Sequence, residues 1–114
     1  MTGALMTSAA AAEAREIRIT TRLMAFVPAS VEARVGDRIL WNGGGDILHE
    51  VYFPVNPQDQ GRPPLRFILK GGRDVVLRLT APGDYTYFCR WHGMQGAIHV
   101  APRDASPPRT GGVP

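Results

Sequence analysis

The stretch Pro82-Gly-Asp-Tyr85-Thr-Tyr-Phe-Cys89-Arg-Trp-His92-Gly-Met94-Gln-Gly96-Ala-Ile-His-Val100 decides how this chain is read. It opens on a Pro-Gly turn, and Tyr85, Tyr87 and Cys89 then recur at the period of two that marks a strand with one buried face. Ala97-Ile-His-Val100 alternates in the same way. Between these runs, a thiol, an imidazole and a thioether fall within the six residues from Cys89 to Met94.

Working outward, the signal stays β. Segments 16–20, 30–35, 38–42, 48–53, 65–70, 74–79, 85–89 and 97–100 read as short strands, separated by turns such as Gly36-Asp37, Gly71-Gly72 and Ala81-Pro-Gly-Asp84. Short strands punctuated by Gly, Pro and Asp predict an all-β, antiparallel sandwich. No window between residues 15 and 101 carries a helical face. Residues 54–64, with four prolines and a glycine, form the longest irregular connection.

The 114 residues fit one domain, expected over residues 15–101. Residues 1–14 are small and mildly apolar and end in Ala12-Glu13-Ala14, an A-x-A pattern of the kind signal peptidase cleaves. They read as the remnant of a signal peptide or as a flexible leader, and the first of these implies export to the periplasm or beyond. Residues 102–114, rich in Pro, Gly, Ser and Arg, are expected to be a disordered tail. No apolar run approaches the roughly 18 residues of a membrane-spanning helix. The net charge is +3, and twelve of the thirteen basic residues are scattered arginines. No basic cluster with interleaved aromatics points to nucleic acid.

A single cysteine excludes an internal disulfide, Cys-rich zinc and iron–sulfur sites, and a copper pair bridged by two thiolates. It leaves the ligand set of a blue-copper site: one thiolate, two imidazoles and a weak axial group. Cys89 and His92 supply two of these from one loop. Without the neighbouring His and Met, Cys89 would read as a small buried hydrophobe. His49, in the segment Leu48-His-Glu-Val-Tyr-Phe53, supplies the second nitrogen, because His99 alternates with Ile98 and Val100 and should face solvent. Met94 is the preferred axial group, and Gln95 is its competitor, since an amide oxygen also suits such a site.

With these residues in place, the chain resembles a cupredoxin of the plastocyanin and amicyanin type over about residues 16–101. Met24-Ala-Phe26-Val-Pro28, Val35-Gly36-Asp37 and Trp41-Asn42 are similar to the family's early strands. Pro82-Gly83, Tyr85, Tyr87, Cys89, His92, Met94, Gly96, Ile98 and Val100 are similar to its ligand loop and final strand. The resemblance implies a Greek-key β-sandwich with one copper near an end. It implies histidines that bind through the ring nitrogen nearer the main chain, and single-electron transfer between larger redox proteins. It also implies that the second ligand histidine lies in an apolar patch that serves as electron port.

Two departures stand out. The family's short loops run Cys-x2-His-x2-Met or Cys-x2-His-x4-Met, whereas here the spacing is Cys-x2-His-x1-Met. Glu50 follows the first histidine where many relatives carry a neutral residue, and strand alternation expects it to point outward. Trp91, between two ligands, reads either as a contact surface for a partner or as packing over the loop. The chain offers no nucleophile or acid–base constellation. The leading expectation is therefore a monomeric copper electron carrier rather than an enzyme. A copper-sequestering or copper-delivery protein is the alternative, and a metal-free interaction module is a third reading.

Overall fold

The computed structural model describes residues 13–43 and 45–103. Most of the expected leader (1–14) and of the expected tail (102–114) lies outside these residues. Among the described residues there are nine strands: β1 (Glu16–Arg22), β2 (Ala25–Val27), β3 (Ser30–Arg34), β4 (Arg38–Asn42), β5 (His49–Phe53), β6 (Leu65–Leu69), β7 (Asp74–Arg78), β8 (Gly83–Cys89) and β9 (Met94–Ala101). They form two sheets, ordered β2-β1-β4-β7 and β3-β9-β8-β5-β6. The all-β sandwich is as expected. Most neighbours pair antiparallel, but β1 runs parallel to β4 and β3 parallel to β9, so both sheets are mixed. No helix among the described residues is long and apolar enough to cross a membrane.

Alternation sorts each strand into a core face and an outer face. Ile19, Ile39, Trp41, Val51, Phe53, Leu69, Tyr87 and Cys89 are wholly buried. Tyr87 is the hub of the aromatic core, its ring centroid 4.8 Å from Phe26, 5.1 Å from Phe53 and 5.5 Å from Trp41. Its cross-strand partner is Gly96, where a Cβ would sit 2.3 Å from the tyrosine ring. Gly96 is therefore fixed by packing: the hydroxyl end of the ring lies against the bare backbone, and any side chain would displace it.

At one end of the sandwich, Asp37 turns the chain from β3 into β4 and is almost completely buried. Its carboxylate accepts hydrogen bonds from the Arg15 and Arg34 amides, each at 2.9 Å, and from Arg103 Nη2 at 2.7 Å. Burial would raise its pKa, but these donors together hold it below the usual carboxylate range. The ion pair fastens the start of β1 and the residues after β9 to one turn.

On the outer face of the second sheet, Asp84 of β8 and His99 of β9 are register partners, with Glu32 of β3 opposite His99 on its other side. His99 Nδ1 bonds the Asp84 carboxylate, and that bond, with the charge behind it, raises the pKa of His99. The pair is exposed, so its contribution is small. A raised pKa means the stabilisation is fully present below the unfolded value of about 6.5 and disappears as pH rises through the higher folded value. Asp84→Asn should lower the melting temperature at pH 5.5 and make no difference at pH 9, as thermal melts at the two pH values would show.

Candidate metal centre

The site is assembled by two strands and one turn. β5 begins at His49, and β8 ends at Cys89. The four residues 90–93 then close the β8–β9 hairpin, with the His92 amide bonded to the Cys89 carbonyl at 3.3 Å. Gly93 has φ +68°, a left-handed conformation that L side chains resist and glycine adopts freely. That residue returns the chain to the sheet at once, so β9 begins at Met94 instead of near residue 97 as the sequence suggested. The short His92-Gly-Met94 spacing follows directly.

The hairpin register places Met94 opposite Cys89, so both side chains share the core face. Met94 is buried, whereas Gln95 points the other way and is exposed. His49, Cys89 and His92 each bring a ligand atom into one cluster, all within 4.8 Å of one another. His92 Nδ1 lies 3.4 Å from Cys89 Sγ, and the two imidazoles meet edge to face with centroids 5.1 Å apart. His49 and Cys89 are buried, and His92 is exposed. His99 is half exposed on the opposite face, away from the cluster.

The chemistry of the cluster suits a soft or borderline metal. His49 Nδ1 is buried and has no hydrogen-bond partner among the described residues. Such an orphan costs free energy unless something else satisfies it. Burial first, and then the neighbouring His92, depress the pKa of His49, so its ring is held in the neutral form that a metal ligand requires. The Glu50 amide donates to Cys89 Sγ at 3.3 Å, an arrangement that stabilises a thiolate. A thiolate, two imidazoles and a nearby thioether fit copper.

Glu50 has a feature that the sequence reading left out. It lies on the outer face as alternation requires, yet it is fully buried. Arg90 and Arg66 cover it. Arg90 Nε and Nη2 reach its two oxygens at 2.9 and 2.6 Å, the Arg90 amide adds a bond at 3.1 Å, and Arg66 Nε lies at 2.5 Å. The Arg90 bonds foremost, helped by Arg66, hold the carboxyl at about 2 against the opposing effect of burial. Arg90 in turn lies over the Tyr52 ring at 3.7 Å, and Arg66 faces the Trp91 ring at 5.7 Å. Period-two reasoning gives the face on which a side chain lies, but not whether long neighbours close over it.

Around His92 and His49 the surface is apolar. Trp91, Ile47, Leu48 and Met24 are each about half exposed, and Leu23 is 93% exposed. Thr21, Leu23, Met24, Asp46, Ile47 and His49 line an open cavity of about 500 Å³. Leu23 and Met24 form the two-residue β1–β2 turn with φ of 49° and 63°. Left-handed backbone in branched or bulky residues costs on the order of 1 kcal/mol each, and Asn-Gly would meet the same turn without strain.

A family model described as copper binding proteins of the plastocyanin/azurin family matches residues 13–101. Among solved structures, a reduced-state mutant of amicyanin aligns with a TM-score of 0.66 at 24% identity, covering 74% of this chain and 80% of that one. A reduced Cu(I) form of another amicyanin mutant at pH 4 aligns equally well. A third, also Cu(I), does so at 23% identity. At this identity the structural likeness speaks for the fold.

Proposed function

We infer, because this chain belongs to the plastocyanin/azurin family of copper-binding proteins, that it is a type 1 copper protein carrying single electrons between larger redox proteins. One observation carries this reading: His49, Cys89 and His92 converge within 4.8 Å beneath a surface that leaves His92 exposed. Copper held there supplies a one-electron couple between Cu(I) and Cu(II). The chain supplies the rest. His49 and His92 would offer ring nitrogens, Cys89 a thiolate, and Met94, opposite Cys89 on the next strand, a weaker thioether. The exposure of Gln95 speaks against it as the axial group. Burial of His49, Cys89 and Met94 keeps water from three of the four donors, and the sheets hold them in place whichever charge the site bears. A site that need not rearrange has a low barrier to electron exchange.

The exposed edge of His92 is the natural exit for an electron. The apolar residues around it give a partner a surface to desolvate, and Trp91 is of the type that anchors such contacts. Bulky apolar residues in a strained, exposed β1–β2 turn make sense if contact with a partner holds them there. We further propose export to the periplasm or beyond, supported by the Ala12-Glu13-Ala14 pattern.

The Cu(II) protein should show an intense thiolate-to-copper band in the visible and cycle reversibly by one electron. Met94→Ala should alter the spectrum and the reduction potential, and Gln95→Ala should alter neither. A colourless protein that holds Cu(I) without cycling would favour delivery over transfer. Leu23→Asn combined with Met24→Gly should raise stability in urea by about 1–2 kcal/mol. The same variant should slow electron exchange with the physiological partner several-fold while leaving the visible band unchanged. N-terminal sequencing of natively produced protein should find the chain beginning at or just after Ala14; a mature protein retaining Met1 would contradict export by this route.

A further inference from the structure

Glu50 sits where the backbone alone does not hold the site together. The β5–β8 ladder has a single register pair, Tyr52 with Phe88. The ligands lie beyond that pair, His49 on one strand and Cys89 on the other. Extending the antiparallel register by two residues brings Glu50 opposite Arg90, and side chains take over from the ladder there. The connection is reciprocal. The amide of Glu50 donates to the sulfur of Cys89, and the amide of Arg90, the residue after Cys89, donates to the carboxylate of Glu50. Each ligand is thus followed directly by a residue that grips the other ligand's strand. Arg90 adds a two-pronged guanidinium contact, and Arg66 ties the same carboxylate to β6.

Stability alone does not account for this arrangement. Taking the Glu50 carboxylate out of water has a cost that contacts with two half-exposed arginines largely offset, so the cluster gains little over a well-packed apolar residue of similar size. What it gains is geometry, since a carboxylate gripped from several directions has one position. We propose that Glu50 is a positioning residue of the metal centre, its carboxylate clamping the Cys89 turn against the strand that carries His49. The proposal rests on the copper reading above, but the clamp itself can be tested without metal.

The experiment compares wild type with Glu50→Ala, Glu50→Gln and Asp37→Ala. The last removes a buried carboxylate at the turn between β3 and β4, and so loses stability away from the clamp. In the apoprotein, reaction of Cys89 with a thiol-specific reagent reports local opening. Glu50→Ala should react at least about tenfold faster than wild type. Glu50→Gln, which can still accept the Arg90 amide through its carbonyl oxygen, should fall between them. Asp37→Ala should react as wild type does at temperatures where it stays folded. With Cu(II) bound, Glu50→Ala should shift the visible band and the hyperfine splitting, Glu50→Gln should shift them less, and Asp37→Ala should leave them in place. Wild-type thiol rates and spectra in Glu50→Ala would overturn the clamp, as would equal changes in Asp37→Ala. Should Glu50→Ala not fold, a Glu50→Gln protein identical to wild type in both measurements would overturn it too. A wild-type protein without the visible band would refute the copper reading, while the apoprotein rates would still decide the clamp.

Discussion

Everything at the metal end depends on the register of one hairpin. β8 and β9 pair continuously from Gly83 with Val100 to Cys89 with Met94. Because side chains alternate, this single register sends Tyr85, Tyr87 and Cys89 from one strand, and Met94, Ile98 and Val100 from the other, to the same interior face. The core and the ligand cluster are therefore one continuous surface. Tyr87 over Gly96 pins the register two pairs below the ligands, since a slip by one residue would put a side chain under the ring.

The sandwich carries a buried carboxylate near each end, and both are held by arginines and backbone amides. Asp37 ties the beginning and end of the described chain to the turn between β3 and β4. Glu50 ties the ligand strand to the ligand turn. In each case the carboxylate stays charged despite burial, because donors outweigh desolvation. Removing either carboxylate would take the shared acceptor from backbone amides and from arginines that still reach solvent, so what is lost is chiefly the common anchor point. The ion pairs make the architecture exacting more than they make it strong.

Much of this was legible in the sequence. Period-two patterning identified the strands that carry His49 and Cys89, and it set His99 on the outer face away from them. The rarity of cysteine and histidine narrowed the ligands before any coordinates. Three features were not legible. β2 is too short to announce itself by alternation, and its hairpin uses Leu23-Met24 where a sequence reader looks for Asn or Gly. The start of β9 depended on Gly93 adopting a left-handed conformation, which composition permits but does not require. That start puts Met94 on the core face beside Cys89 and Gln95 on the outer face, because neighbouring residues in a strand face opposite ways. The burial of Glu50 depended on Arg66 and Arg90, 16 and 40 residues away in sequence, folding over it. Local pattern carries no information about such a lid.

The four-residue turn between Cys89 and Met94 also has an evolutionary consequence. An insertion within residues 90–93 lengthens a surface loop without shifting the register of β9 against β8. A single insertion after Met94 would instead turn Ile98 and Val100 out of the core together. Added length near the ligands is thus compatible with the sandwich only in one short window, and there only where Arg90, His92 and Gly93 keep their places. A lineage can lengthen that window, and so reshape the exposed rim of the site, without renegotiating the sandwich beneath it.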